Sequence, residues 1–567
     1  VADRPIGRYE RRPARLRPWD PRSERVASRI AALVAEVRPE PVEHIGSTAI
    51  QGMPGKGIVD LSIEAEPAEI PGIVTALYGL GFQPQPGPDP FPPTRPMLVG
   101  AMIEDGEEFR VHLHVQPVGG DQTGGDHKRD IAFRDALRSD RELFDQYVAL
   151  KAGITAGGEV DALQYTHSKT SWIHGVYRRI GYLPHAVLPP ATIGILGGGQ
   201  LGRMIGLAAR ELGYRVAVLD PDPDCPAAAV ADHVELGGYD DVTAAERLAA
   251  MSGVITYELE HVGLDLVQAI DRLVPVRPGP LALSVTQDRL AERRFVERTG
   301  GRVAPWREAT DAASVAAAGE TLGFPLRLKA PTGGYDGRSQ VRVADARGIP
   351  AALAALGLPP GSPVLVEREL EFEMELSVVT ARAVDGTFAP LPVARNVHDA
   401  GILVESSVPA PIPESVAEAA HDLGRRLAVA AGVVGTLTAE LFLLPDGSLV
   451  VNELAPRVHN SGHWSIEASA TSQFEQHVRA ICALPLGRAG LRTPAAATVN
   501  LLGTGERRPA ALTGLPEALA LPDVHLHVYD KRQVFERRKM GHVTALADTP
   551  EEAIARASAA QSLLRWS

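Results

Sequence analysis

Residues Leu183 to Pro190 read Leu-Pro-His-Ala-Val-Leu-Pro-Pro, three prolines in eight positions. Proline removes a backbone donor and restricts the residue before it, so this stretch cannot continue a helix or a central strand and reads as a linker. Directly behind it, ATIGILGGGQLGRM has an apolar run, a glycine cluster and a helix-forming stretch: the first strand, turn and helix of a new α/β unit. A chain of 567 residues is too long for one ordinary core. The expected division is 1–182, a linker at 183–190, then 191–285, 286–494 and 495–567.

Periodicity gives the coarse elements. Arg22–Val37 repeats its apolar residues at helical spacing, Val42–Ile45, Ile58–Ile63 and Phe109–Val115 read as strands, and Asp130–Leu150 reads as one charged amphipathic helix. From Thr192 to about Val276 strands and helices alternate, as in a parallel sheet. Longer apolar strands follow through about Glu453, and a last small unit opens near Ala495. It closes on a helix beginning Thr549-Pro550-Glu551-Glu552, with a capping Thr, Pro at the first helical position and Glu three residues after the cap. The fold class expected is therefore mixed α/β and α+β, in several domains.

Lys and Arg number 57 against 70 Asp and Glu, a net charge of −13. That balance argues against general nucleic-acid or anionic-membrane binding, which needs a positive field. With only Cys225 and Cys482, a disulfide framework and a cysteine-rich zinc site are excluded, and a reducing cytoplasm is the expected compartment. The most apolar stretch, Leu427 to Leu444, contains Glu440, two Thr and two Gly and reads as a helix end, a turn and a buried strand rather than a membrane span.

Gly197-Gly198-Gly199-Gln200-Leu201-Gly202 satisfies G-x-G-x-x-G between a strand and a helix, and Asp220 closes the next strand. Alone, this would be read as a dinucleotide site and would point to an NAD-binding oxidoreductase. The physics supports less: a tight turn and exposed N–H groups at a helix start, which suit any anion or none.

A second constellation lies downstream. Pro325–Lys329 reads as a buried strand that delivers Lys329 beside the glycine-rich loop Gly333-Gly334-Tyr335-Asp336-Gly337, a plausible clamp for the phosphates of ATP. Leu437–Leu444 and Ser448–Leu454 flank Pro445-Asp446-Gly447 as a hairpin, and each run carries one carboxylate, Glu440 and Glu453. Two carboxylates on adjacent strands could share Mg²⁺, which prefers oxygen ligands; a structural ion pair with a basic residue is the alternative. Asn452 would face away from Glu453 if the strand is regular. Arg457, His459, Asn460, Ser461 and His463 crowd the loop behind and could hold a small oxyanion.

With GILGGGQLGRM, TYELEHV, GGYDGR, FEMELSVV, NVHDAGIL, VVNELAPRVHNSGHW and YDK…RKMGHV in order, Thr192 to about Ala559 resembles the 5-(carboxyamino)imidazole ribonucleotide synthase family. The resemblance implies a Rossmann-like preATP-grasp domain, an ATP-grasp body and a small C-terminal domain. It implies an ATP-dependent ligase that carboxylates 5-aminoimidazole ribonucleotide with bicarbonate, through carboxyphosphate, in purine biosynthesis. The cofactors implied are ATP and Mg²⁺, and the assembly a cytoplasmic homodimer. Arg289, Lys329, Gly333, Gly334, Tyr335, Asp336, Glu367, Leu370, Glu375 and His398 fall on ATP positions, Glu440 and Glu453 on the metal ligands, with Asn452 beside them. Gln200, Glu258, Tyr335, Asp336, Arg338, Lys531 and Arg538 fall on ribonucleotide positions, the last two at its phosphate. Arg457 and His459 would lie near bicarbonate, and with Lys531 they are the catalytic candidates. Ala330-Pro331, Ser339 and Phe535-Glu536-Arg537 depart from the family's usual residues. A related ATP-grasp ligase or formyl-transferring enzyme acting on another small substrate is the alternative.

Residues 1 to about 182 resemble the GrpB-like family, of nucleotidyltransferase-related fold, through EHIGSTAIQGMPGKGIVDL, HLHV, RDALRSDRELFDQYVALK and YTHSKTSWI. A nucleotidyltransferase reading would use Gly46 and Ser47 for triphosphate, Lys56 to assist and Asp60 for metal. Ser62 breaks the usual Asp-x-Asp pair, leaving Glu64 or Glu108 as substitutes. His112 and His114 share a strand face, as metal ligands or, by preference, as satisfied structural histidines. A binding or accessory role is expected for this domain.

Overall fold

The computed structural model describes residues 4–13, 15–38, 41–86, 91–118, 127–156, 162–182, 186–333 and 339–567. The chain forms two compact units, Val1–His185 and Ala186–Ser567.

In the first unit a five-stranded sheet runs in the order Glu43–Ile45, Ile58–Ala65, Glu107–Pro117, Met97–Glu104, Gln83–Pro84. Only Ile58–Ala65 and Glu107–Pro117 are parallel. Helix Arg22–Val37 matches its periodic stripe: Val26, Ile30 and Val34 are buried against Val59, Leu61, Val111 and Leu113. The single helix expected over Asp130–Leu150 is in fact two, His127–Ser139 and Arg141–Thr155. Asp140 breaks it, leaving the helical region and accepting from Leu143 N–H at 3.1 Å as the cap of the second helix.

The second unit opens with a four-stranded parallel sheet, His233–Leu236, Arg215–Asp220, Thr192–Leu196, Val254–Tyr257, the alternation its sequence announces. A four-stranded antiparallel sheet follows in the order Trp306–Ala309, Val364–Arg368, Leu326–Lys329, Gln340–Val343. Nine of the remaining strands build one sheet, and four short ones pair as Arg508–Pro509 with Gln533–Val534 and Leu512–Thr513 with Arg565–Trp566. The path of the nine-stranded sheet runs Leu449–Ala455, Gly435–Leu443, Met374–Arg382, Ala394–Asp399, Ile402–Val408, Ala495–Leu502, Lys539–Ala547, Val524–Val528, with Phe388–Pro390 paired to Met374–Arg382. The segment from Ala495 onward therefore extends the preceding sheet, because Ala496–Val499 pairs with Glu405–Val408. Its closing helix, Pro550–Leu563, is capped by Thr549 as expected. The end of the proline-rich stretch is tied down rather than free: Val187 N–H donates to Cys482 O and its carbonyl accepts from Tyr214 Oη at 2.6 Å. Among the described residues no helix is long and apolar enough to cross a membrane.

Candidate functional site

Asp288 caps helix Arg289–Arg298 by accepting from Ala291 N–H, which sets Arg289 at the helix start. From there its guanidinium donates to Ala330 O at 2.8 Å and to Ser339 Oγ at 3.3 Å. Two positions that depart from the family pattern thus hold this arginine. Arg289, Gly333, Glu260, Glu292 and Glu453 line one cleft. Gly334, Tyr335, Asp336 and Arg338 lie outside the described residues.

One turn along the same helix, a buried charge chain begins. Arg293 Nε donates to Glu367 Oε1 and its Nη1 to Glu292 Oε1, both at 2.5 Å. Lys329 Nζ reaches the other oxygen of Glu367 at 2.6 Å. Burial alone would raise the Glu367 carboxyl, but Arg293 and Lys329 hold it down to about 2. Glu292, pushed up to about 7 mainly by burial, also accepts from Leu454 N–H and so ties the helix to the metal-ligand candidate strand. Neither Glu292 nor Arg293 stands out as a site residue in sequence. The signal was there: Arg293 sits at helical spacing between Leu290 and Val296, on the buried face.

Glu440 and Glu453 are direct partners across the hairpin, but the register slips beside them: Leu441 pairs with Val451 and Asn452 is left over. This bulge corrects the regular-strand expectation for Asn452. Val451 and Leu454 enter the core while Asn452 and Glu453, between them, both stay accessible, so the adjacent pair shares the open side. Burial pushes the Glu440 carboxyl up to about 7, His398 counters it, and facing Glu453 and Glu375 raises it further. Glu375 is hydrogen-bonded to His398 Nδ1, and Leu370 is half-buried just beyond strand Val364–Arg368.

In the polar loop behind the hairpin, Arg457 does not present a free fork. It grips Glu260 with Nε and Nη2, each at 2.9 Å, and donates to Val458 O. His459 sets Nε2 3.3 Å from Glu440 and Nδ1 2.9 Å from Ser461 Oγ; burial and Arg457 keep its ring neutral.

The glycine loop is already filled. Glu258 accepts from Gly199 N–H at 2.5 Å and Gly202 N–H at 2.8 Å, and Asp220 accepts from Gly198 N–H and Tyr239 Oη, each at 2.7 Å. A Cβ on Gly197 would meet Glu258 Cγ at 2.6 Å, so the glycines make room for this carboxylate. The anion site at this helix start is taken by the protein itself, and Asp220 is not a free ribose acceptor. The NAD reading loses both of its supports. Gln200 is buried at the first turn of that helix. Late in the chain, Lys531 Nζ donates to Lys539 O at 2.7 Å, and Arg538 donates to Gln533 O and lies 5.1 Å from the Phe535 ring centre.

Four family models match: GrpB protein over residues 13–179, ribonucleotide synthetase preATP-grasp domain over 190–287, ATP-grasp domain over 294–474, and phosphoribosylaminoimidazole carboxylase C-terminal domain over 496–556. The N5-carboxyaminoimidazole ribonucleotide synthase of Brucella melitensis is 43% identical over 358 residues, covering 63% of this chain and 97% of that one. The chain belongs to the N5-carboxyaminoimidazole ribonucleotide synthase family. The Bacillus subtilis synthase is 39% identical, over 65% of this chain and 94% of its own. Among solved structures, an ADP complex of such a synthetase matches with TM-score 0.62 and 39% identity, over 67% of this chain and 98% of its own. The Aspergillus clavatus enzyme in complex with ADP and 5-aminoimidazole ribonucleotide matches with TM-score 0.60 and 30% identity, over 66% and 98%.

The synthase relatives cover about two-thirds of the chain, and the first unit matches the GrpB model instead. There Gly46, at φ +71°, packs onto Asp60, and Ser47 accepts from Lys151 Nζ at 2.9 Å. Gly46, Ser47, Lys56 and Asp60 line one cavity. Neither substitute acid joins Asp60 in a metal-spaced group among the described residues: Glu108 pairs with Arg12 at 2.7 Å, and Glu64 lies four residues along the strand, opposite Gln116. Ser62 is occupied by His127 Nδ1. His112 and His114 do share a face, alternating with buried Val111, Leu113 and Val115.

Proposed function

We propose that this chain carboxylates 5-aminoimidazole ribonucleotide with bicarbonate at the expense of ATP, giving 5-(carboxyamino)imidazole ribonucleotide, ADP and phosphate in purine biosynthesis. The observation that carries this reading is the facing pair Glu440/Glu453 beside the Lys329–Glu367–Arg293 chain, in a family member. Bicarbonate oxygen attacks the γ-phosphorus of ATP, ADP leaves, and the ribonucleotide amine then takes the carboxyphosphate carbon, or CO₂ released from it, as phosphate departs. With no covalent enzyme intermediate, the protein's task is positioning, charge neutralisation and exclusion of water.

Each residue has a physical part in this. Lys329, oriented by Glu367, and Arg289 at its helix start would neutralise ATP phosphates beside Gly333. Glu375, His398, Glu367, Leu370 and Asn452 would complete that pocket. Two carboxylates in register, one of them raised by the other and by burial, form an all-oxygen donor set that fits Mg²⁺. When bound, the ion would shield the charge of the phosphoryl oxygens. His459, held neutral, can donate a hydrogen bond or accept one near bicarbonate without adding charge. Arg457, gripped by Glu260, is better suited to fix the loop than to clamp substrate alone. Because Glu258 fills the glycine loop, the ribonucleotide phosphate belongs at Lys531 and Arg538, leaving Gln200 and Glu258 for neutral hydroxyl or amine groups. A homodimer in the cytoplasm is the state proposed, and the first unit is assigned a binding or accessory role.

The test is ADP release by the full chain, assayed with and without bicarbonate and 5-aminoimidazole ribonucleotide, beside Glu453→Gln. Dependence on both substrates and loss in the variant are expected. ADP release indifferent to bicarbonate would refute the reading.

A further inference from the structure

In the first unit, Asp60, His112 and His114 each offer one ligand atom, and the three atoms lie within 4.8 Å of one another. The parallel register explains why. Strand Ile58–Ala65 pairs Asp60 with His112 and Ser62 with His114, so the carboxylate and the first imidazole stand side by side and the second lies two residues along the same face. Asp60 Oδ1 and His112 Nδ1 are 3.2 Å apart. Two ligands at about 2.0–2.1 Å from a tetrahedral zinc ion are themselves about 3.3 Å apart, so this pair already stands at coordination spacing.

Two further observations separate this cluster from an ordinary buried ion pair. His112 Nε2 lies 3.1 Å from Tyr9 Oη, the outer partner that a ligating imidazole uses to fix its tautomer and ring orientation. His114 has no hydrogen bond to its ring among the described residues, only the edge of Phe91 at 5.5 Å between ring centres. A structural histidine on a polar face would be expected to find one.

Asp60 also belongs to the wall of the cavity with Ser47, Lys56 and Lys169. The ammonium groups of Lys56 and Lys169 lie 5.5 and 4.5 Å from the Tyr165 ring centre, and neither has a carboxylate within ion-pair distance among the described residues. Asp60 is the one carboxylate in that lining, so two partly buried cations share a single counter-charge, and an anionic occupant would balance them.

We infer that the first unit binds one zinc-class divalent ion through Asp60, His112 and His114, with an open position toward the lysine-lined cavity that takes a small phosphorylated anion. Two imidazoles favour zinc or cobalt over Mg²⁺, which prefers oxygen donors. The assignment is independent of the carboxylation reading and rests on different residues.

The test uses the full chain stripped with chelator and titrated with zinc and, separately, cobalt. Expected are one high-affinity zinc per chain and a cobalt d–d spectrum. His112→Gln and Asp60→Asn should each weaken zinc at least about tenfold, and Tyr9→Phe, which leaves all three ligands in place, by about tenfold. Bicarbonate-dependent ADP release should be unchanged in all three, which also reports an intact second unit. Far-ultraviolet circular dichroism and a thermal melt check the first. Zinc loading should add one pyrophosphate site per chain in the wild type, over any bound by the second unit, and none in His112→Gln. Zinc uptake that is absent, or equal in the wild type, His112→Gln and Asp60→Asn, overturns the site. A pyrophosphate stoichiometry that zinc does not change in the wild type overturns the open position.

Discussion

Glu440→Gln should stabilise the metal-free protein while destroying its activity. Burial and the facing carboxylates move the Glu440 carboxyl from its ordinary 4.5 to about 7. The native state therefore holds a proton that the unfolded chain releases between those values, so stability is fully present below pH 4.5 and lost as pH rises through 7. At about 1.4 kcal/mol for each tenfold change in proton affinity, the loss by pH 8 is about 3 kcal/mol. Glutamine has no proton to lose, and its amide oxygen can still accept from His459. A unit running from Ala186 to Ser567 unfolds with about 0.8 kcal/mol/K, at about 2.1 cal/mol/K per residue, so the gain is about 4 °C in midpoint. Thermal melts in chelator at pH 8 should show that rise in the variant, and at pH 5 less than about 1 kcal/mol of it. With Mg²⁺ and ATP the order should reverse, because the ion offsets the repulsion only in the wild type, and ADP release should fall by about 100-fold or more. A variant that melts lower than wild type in chelator at pH 8, or gains equally at both pH values, refutes the paired-carboxylate argument.

Glu367→Gln leaves Lys329 and Arg293 without their shared counter-charge and should cost about 3–5 kcal/mol. Since its carboxyl is held down to about 2, that contribution is complete above pH 4.5 and lost as pH falls through 2, so urea melts should show a constant gap from pH 6 to 8 that narrows below about pH 4. Glu258→Ala strips the acceptor from Gly199 and Gly202 N–H and should cost about 2–4 kcal/mol in thermal melts. Part of that loss should return with added phosphate, which can enter the vacated anion site, and no such recovery is expected in the wild type. Arg537 holds a left-handed backbone at φ +62° and an ion pair to Asp399. In Arg537→Gly a relieved strain of about 1 kcal/mol and a lost surface pair of about 0–1 kcal/mol nearly cancel, so the midpoint should move by less than about 2 °C.

What the sequence made legible, and what it hid, follows from how far each interaction reaches along the chain. The hairpin and its two acids were readable because a Pro-Asp-Gly turn between apolar runs fixes which residues come opposite, and Glu440 does face Glu453. The bulge at Asn452 was not read, although two adjacent polar residues in VVNELA already break strict alternation. The split at Asp140 was likewise local: Asp followed by Arg-Glu-Leu is a capping sequence inside an otherwise helical run. The occupant of the glycine loop was out of local reach. Glu258 lies 56 residues from Gly202, on the loop after the neighbouring parallel strand, and only the sheet order brings them together.

That last case bears on how such loops are read. G-x-G-x-x-G encodes a cavity of backbone donors, and the cavity's free energy is satisfied by any carboxylate or phosphate that reaches it. Here Glu258 and Asp220 reach it from within, and each accepts backbone N–H groups that a dinucleotide pyrophosphate would have to win. The same carboxylates that exclude a phosphate leave their remaining lone pairs for hydroxyl or amine donors. Under the proposed function, a pocket of this kind would take the neutral part of the ribonucleotide and leave its phosphate to cations such as Lys531 and Arg538. Whether a glycine loop binds phosphate is therefore decided by the acid at the end of the next strand over, not by the glycines.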